Sequence, residues 1–102
     1  MESNEVEAEK VRLKICMEQS CDFCVQGDTI EYKSKVENDS NVDLYGVDFC
    51  DKLPRDGKFL KDSFKVNGKR ERAEEKDSVI RFRIERIKKL EDLVITFDVR
   101  VM

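Results

Sequence analysis

The feature that most constrains the fold is the strict alternation of apolar and polar residues in two separate segments of the chain. In residues 29–36 one face carries apolar side chains interrupted by a single serine: Ile30, Tyr32, Ser34 and Val36. In residues 93–101 every position on one face is apolar: Leu93, Ile95, Phe97, Val99 and Val101. A period of two residues is typical of a β-strand with one face in the core and the other in solvent. The sequence therefore predicts a protein built from half-buried strands.

Shorter alternating runs predict further strands. Residues 11–17 predict a first strand whose inward row contains Leu13 and Ile15. The next predicted strand after residues 29–36 contains Val47 and Phe49, and Gly46 indicates a bulge at which the alternation changes phase. Apolar residues at positions 59, 60, 64 and 66 predict another strand, and residues 79–85 alternate again.

Turn signals separate these strands. The Asn-Asp-Ser-Asn run at 38–41 is rich in side chains that bond to their own backbone, and Asn67-Gly68 is a strong hairpin signal. Pro54 ends a strand because it has no amide for the ladder. Residues 69–93 also match a helical stripe, but a helix would leave Phe82 off the apolar face, so a strand at 79–85 is favoured. Ile87 and Leu90 are then expected to point inward from the following loop.

Length and composition limit the chain to one domain. At 102 residues it is large enough for a single core, and we expect an all-β sandwich of about seven antiparallel strands over residues 11–102. Residues 1–10 are acidic and are interpreted as a tail or linker, since they have neither the basic start nor the apolar core of a secretory signal. No apolar run approaches the ~20 residues of a membrane helix, so direct membrane insertion is not expected.

The order of several motifs resembles the prokaryotic surface-protein conserved-repeat family known as domain of unknown function eleven. The matching elements are a G-D-T-x-x-Y strand at 27–32, an N-x-S-N turn at 38–41, a V-x-x-x-D-x-L-P strand end at 47–54, an S-x-x-V-N-G segment at 63–68 and an alternating last strand at 93–101. The similarity extends over nearly the whole chain from residue 11. It implies an immunoglobulin-like β-sandwich, usually found in tandem arrays on bacterial or archaeal surface proteins, with no catalytic activity and no cofactor.

The function expected from this resemblance is a non-catalytic structural or adhesive module. It would serve as a spacer or protein-interaction domain of a prokaryotic cell-surface or spore-coat protein, with neighbouring repeats or surface proteins as partners. A cytoplasmic location is the alternative that the absent signal also permits. The inventory of catalytic residues is otherwise empty, because there is no histidine, no phosphate-binding glycine loop and no nucleophile elbow. A hydrolase with an acidic dyad has only the abundance of carboxylates in its favour.

The four cysteines define the competing function, a zinc-binding or redox module. They are Cys16, Cys21, Cys24 and Cys50. A four-thiolate zinc site usually joins two C-x₂-C hairpins, whereas this chain has one such pair and an isolated cysteine in a strand. A redox dithiol would open a helix, and this pair precedes a strand. Structural thiols or disulfides are therefore preferred, including an interchain disulfide formed by exposed thiols, with the pairing left open.

Three further sets of side chains are candidate sites. Some sandwiches resembling this one carry an isopeptide bond, for which Lys14 and Asp98 would be the partners, but both alternate to the outward face. Calcium could use the carboxylates of residues 48, 51 and 56, although the glycine-containing calcium loop is absent. Asp51 instead matches the aspartate of the D-x-L-P motif and, with Pro54, is expected to have a structural role in the turn. The basic cluster at 69, 70 and 72 is neutralised by glutamates, so no nucleic-acid partner is expected.

Overall fold

The computed structural model describes residues 13–19 and 25–102, and within them the protein is a sandwich of two antiparallel β-sheets. The expected all-β sandwich is confirmed, with nine strands rather than about seven. In chain order they are β1 (Leu13–Gln19), β2 (Thr29–Asn38), β3 (Leu44–Lys52), β4 (Gly57–Phe59), β5 (Lys65–Val66), β6 (Lys69–Arg70), β7 (Glu74–Lys76), β8 (Val79–Ile87) and β9 (Asp92–Val101). A 3₁₀ turn, Lys61–Ser63, separates β4 from β5 and accounts for part of the higher count.

The larger sheet, sheet A, has the order β1-β2-β9-β5-β6, and β4 also pairs with β9. The smaller sheet, sheet B, has the order β3-β8-β7. The last strand in sequence therefore lies in the middle of sheet A, where β2 borders one side of it and β4 and β5 border the other. The acidic tail predicted for residues 1–10 lies outside the described residues.

The core lies between the inner faces of the two sheets and contains a cluster of aromatic rings. Phe64 is fully buried and contacts four other phenylalanines, at ring-centroid distances of 5.1 to 6.5 Å, namely Phe49, Phe59, Phe82 and Phe97. Tyr32 stacks on Phe97 from the neighbouring strand at 5.2 Å. Such ring pairs add to the free energy gained from apolar burial. The predicted inward row of β9 is buried from Leu93 to Val99.

Strand β1 is more exposed than its alternating pattern predicts. Leu13 pairs with Asn38 and Ile15 pairs with Val36, and side chains of directly paired residues project from the same face of a sheet. The row therefore faces inward as predicted. It is nevertheless exposed, with Leu13, Ile15 and Met17 at 37%, 49% and 52% exposure, because the three-stranded sheet B does not reach the edge of sheet A.

The turns agree with the sequence at most positions. Asn67 and Gly68 have positive φ angles and form the two-residue loop between β5 and β6. At Gly46 the alternation changes phase as predicted, but the β3–β8 pairing keeps one register on both sides of it, so no extra residue is inserted. Ile87 is buried, whereas the prediction that Leu90 points inward is wrong. Leu90 has a φ of 60° in the tight turn closed by the Glu91 amide and the Lys88 carbonyl, and its side chain is 75% exposed.

Candidate functional site

The two described cysteines lie on opposite outer faces of the sandwich. Cys16 pairs with Lys35 on the outward face of sheet A, and Cys50 pairs with Arg81 on the outward face of sheet B. Both thiols are free and exposed. Because packed sheets lie about 10 Å apart, two side chains that project away from each other on different sheets cannot share a metal ion or a disulfide. Cys16 and Cys50 therefore do not belong to one site.

The remaining two cysteines, Cys21 and Cys24, lie outside the described residues, and their pairing stays a prediction. Within residues 13–19 and 25–102, no three cysteine, aspartate or glutamate side chains are grouped closely enough to hold a metal ion. In the same part of the chain no helix has the length and apolar character required to span a membrane.

The candidate isopeptide partners are held far apart by the strand register. Lys14 lies opposite Glu37, and Glu37 lies opposite Asp92 on the other side of β2. Asp98 is six positions further along β9, which corresponds to about 20 Å along the strand. Lys14 and Asp98 consequently cannot react with each other in this fold.

The carboxylates considered for calcium are also divided. Asp48 projects from the outer face of sheet B, where it forms an ion pair with Arg83 at 3.4 Å. Asp51 lies opposite the fully buried Ile80 and therefore faces the interior. Asp56 follows in the turn that the Gly57 amide closes onto the Pro54 carbonyl at 3.0 Å. Asp48 and Asp51 therefore cannot contribute to one calcium site, while Pro54 occupies the turn expected for it.

Asp51 is the one inward carboxylate of β3 and has an unusual environment. Burial raises the pKa of Asp51, although a hydrogen bond from the backbone amide of Lys52 opposes the shift. Among the described residues, its Oδ2 atom is buried without a hydrogen-bond partner. The pKa of Tyr32 is raised as well, first by burial and then by the negative charge of Asp51. The unpaired oxygen carries a desolvation cost. Asp51 lies within β3, and its expected structural role in the following turn stays a prediction.

The predicted basic cluster lies beside an open groove between the two sheets. Its cavity volume is about 990 Å³. Both arginines of the cluster, Arg70 and Arg72, line the groove together with three glutamates, Glu71, Glu74 and Glu75. A mixed lining of this kind lacks the one-signed potential that recognises a phosphate backbone. A second groove, of about 460 Å³, is lined by Cys50 with Arg72, Arg81 and Arg83, and the carboxylates of Asp48 and Glu74 line it too.

Ion pairs cover the outer faces of the strands. Lys35 contacts Glu37 at 3.2 Å and Asp92 at 3.8 Å, and its pKa is raised mainly by the hydrogen bond to Glu37. At the end of sheet B the pKa of Asp43 is lowered, first by the backbone amide of Lys89 and then by the Arg86 side chain. Exposed pairs of this type contribute little to stability.

A buried asparagine that joins the two sheets was not identified as such from the sequence. Asn38, fully buried at the end of β2, donates its side-chain amide to the carbonyls of Val42, Ile87 and Lys88 at 3.0 to 3.1 Å. Its Oδ1 accepts the backbone amide of Ser40 at 2.9 Å. The turn at 38–41 predicts the local Ser40 bond, but only the fold brings Ile87 and Lys88 within reach.

The positions at which the chain enters and leaves the described domain form the most informative arrangement for function. Leu13 begins β1 beside Asn38, at the end of sheet A where β9 starts at Asp92. Val101 ends β9 at the opposite end, beside Gly57. Strand β9 has ten residues, from Asp92 to Val101, and therefore spans about 30 Å. The chain therefore passes from one end of the sandwich to the other.

No family model matches the chain, and no curated protein or solved structure matches it either.

Proposed function

We propose that this chain is a non-catalytic structural or adhesive repeat module of a prokaryotic cell-surface or spore-coat protein. It acts as a spacer or as a protein-interaction domain, and its partners are neighbouring repeats or other surface proteins. The order of the motifs from 27–32 to 93–101 is what associates the chain with the surface-repeat family. The observation that carries the proposal is the passage of the chain from one end of the sandwich, at Leu13, to the other, at Val101.

This passage suits a module in a linear array. A domain whose chain enters and leaves at the same end forces its neighbours to fold back beside it, whereas the present arrangement allows successive copies to extend in one direction. The outer faces contribute as well, because their alternating charges keep neighbouring modules soluble at close spacing.

The array geometry can be tested with proteins of one, two and three copies joined head to tail. Small-angle X-ray scattering would measure the longest dimension of each protein. We expect each added copy to lengthen the particle by roughly 30–45 Å, the length of the sheet plus a short connection. The single copy is the control. A longest dimension that does not grow with copy number would contradict the spacer function.

The competing zinc or redox module requires a different measurement. Intact mass before and after reduction, together with elemental analysis of the native protein, counts the thiols and the zinc. A mass lower by two or four hydrogens before reduction, without metal, supports a structural role in an oxidising location. Four free thiols together with one stoichiometric zinc would contradict the proposal and support a zinc-binding function instead.

A further inference from the structure

The outer edge of β1 is open among the described residues, since β1 occupies the end of the strand order in sheet A. Its backbone groups can be assigned to the two sides of the strand. The backbone amide of Asn38 donates to the Glu91 carbonyl, and the Asp28 carbonyl accepts the Val101 amide. The backbone amides and carbonyls of the even-numbered residues of β2 therefore point toward β9. Because the direction alternates along a strand, Lys35 and the other odd-numbered residues of β2 bond to β1.

It follows that Cys16, the partner of Lys35, directs its amide and carbonyl toward β2. The neighbouring residues Ile15 and Met17 direct theirs toward the open edge. These same two residues also carry the exposed apolar side chains of the inward row. The edge thus offers both unpaired backbone groups and uncovered apolar surface, the combination that another strand can satisfy.

We propose that this edge is a self-association surface, at which β1 pairs antiparallel with β1 of a second copy around a two-fold axis at Cys16. In this register Lys14 lies opposite Glu18 of the second copy, and Ile15 lies opposite Met17 of the second copy. The two-fold axis repeats each pair. The two copies of sheet A then form one continuous sheet, with the apolar rows side by side on its inner face.

The charges on β1 select this register over its neighbours. Its outward face carries Lys14, Cys16 and Glu18, a cation and an anion placed symmetrically about the cysteine. Pairing centred on Cys16 brings unlike charges together twice, which stabilises directly opposed strand residues. A register shifted by two residues loses both pairs. A shift by one residue would place the apolar row of one copy opposite the charged row of the other, because a slip of one residue moves every side chain to the other face of the sheet.

The backbone directions make the central pair a sensitive reporter. Cys16 would form a non-hydrogen-bonded pair with Cys16 of the second copy, because its own bonds are used by β2. In such pairs the Cα atoms are about 4.5 Å apart, within the range that a disulfide spans. The association itself is non-covalent, and it does not depend on the proposed array, since pairing at the side of sheet A leaves both ends of the sandwich free.

Charge reversal tests the register. Analytical ultracentrifugation of the full chain under reducing conditions should show a dimer whose population rises with concentration. Lys14→Glu and Glu18→Lys each place like charges opposite one another twice, and we expect each variant to dimerise roughly tenfold more weakly. Mixing the two variants restores unlike pairs between them, so the mixture should form a heterodimer as readily as the unchanged chain.

The mixture also controls for folding. Lys14 faces Glu37 and Glu18 faces Lys33 within one copy, so each single change also alters a contact inside sheet A. A variant that had merely lost β1 would not regain association on mixing. Dimerisation of both variants at the affinity of the unchanged chain would overturn the proposal, and so would a mixture that stays monomeric.

Single-cysteine proteins supply the second test. One protein keeps only Cys16, and a matched control keeps only Cys50, which is also exposed on an outer face and lies on β3, an edge strand of sheet B. Diamide takes up the two hydrogens of two thiols as they form one disulfide. We expect the Cys16 protein to cross-link at least tenfold faster than the Cys50 protein, on the basis of their spacing.

Equal cross-linking rates for the two proteins would contradict the proposal. An unchanged chain that remains monomeric at all concentrations would also overturn the proposal.

Discussion

Strands β1 and β9 have the same alternating pattern but opposite environments. In β9 the inward row from Leu93 to Val99 is between 0% and 6% exposed, whereas in β1 the inward row from Leu13 to Met17 is between 37% and 52% exposed. The two strands run in the same direction on either side of β2. What separates them is the opposite layer, because sheet B covers β9 and ends before β1. Alternation determines which way a side chain faces, and the second sheet determines whether it is buried.

The sharpest test of this contrast uses the same residue type in both strands. Ile95→Ala removes a fully buried side chain from β9 and should lower the free energy of unfolding by about 2–5 kcal/mol, since it leaves a cavity. Ile15→Ala in β1 should lower it by less than about 1 kcal/mol. Urea titrations followed by circular dichroism would measure both. Similar losses at the two positions would show that β1 is covered as well.

Asn38 tests the link between the two sheets at the end where β1 begins. Asn38→Ala would leave the buried carbonyl of Ile87 and the part-buried carbonyl of Lys88 without this donor, and we expect a loss of about 2–3 kcal/mol. Asn38→Asp is the matched control, because it keeps an acceptor for Ser40 and removes the donors. If the donors are what matters, it should destabilise at least as much in the same titration, and a stability close to that of the unchanged chain would refute the link.

Gly46 tests the edge of the covering sheet. Its φ of 62° disfavours other residues, and a Cβ there would lie 2.6 Å from Nη2 of Arg83. We expect Gly46→Ala to cost about 1–2 kcal/mol, mostly from the backbone, because the arginine head can move. Gly68→Ala, at a φ of 81° with no atom within 4 Å of the added carbon, isolates the backbone contribution. A markedly larger loss at Gly46, measured by thermal unfolding, would indicate that Arg83 is held in place.

Ser34 lies between the two strands and should give the smallest effect. It is opposite Met17 on one side and Ile95 on the other, and its buried Oγ has no hydrogen-bond partner among the described residues. Ser34→Ala should therefore raise the free energy of unfolding by about 0.5–1 kcal/mol. Ser40→Ala, at another buried serine, is the matched control. A loss of stability in Ser34→Ala would mean that its hydroxyl is bonded.

The sequence was sufficient to predict the class of the fold and most strand faces. The regular alternation in β2 and β9 and the turn at Asn67-Gly68 each depend on local chemistry that neighbouring residues reveal. Asp77 and Ser78 form a similar loop with positive φ angles between β7 and β8, but without the usual glycine the local sequence does not predict it. Local patterns therefore predicted this fold wherever the residue types were typical of the structure.

The rest depended on contacts between distant parts of the chain. The exposure of β1 follows from the width of sheet B, and no residue within 13–19 encodes that width. The long-range bonds of Asn38 join positions about 50 residues apart. The separation of Cys16 from Cys50 likewise follows from their placement on different sheets. A candidate site assembled from residue types alone could not anticipate these distances.

The passage of the chain from end to end has a mechanical consequence. A pull on the two ends of the sandwich would act along β1 and β9, which point the same way on either side of β2. The hydrogen bonds that join each of these strands to β2 lie across that direction. The bonds would be loaded in shear and would resist together, rather than break one after another. A module loaded in this way holds until much of the ladder fails at once.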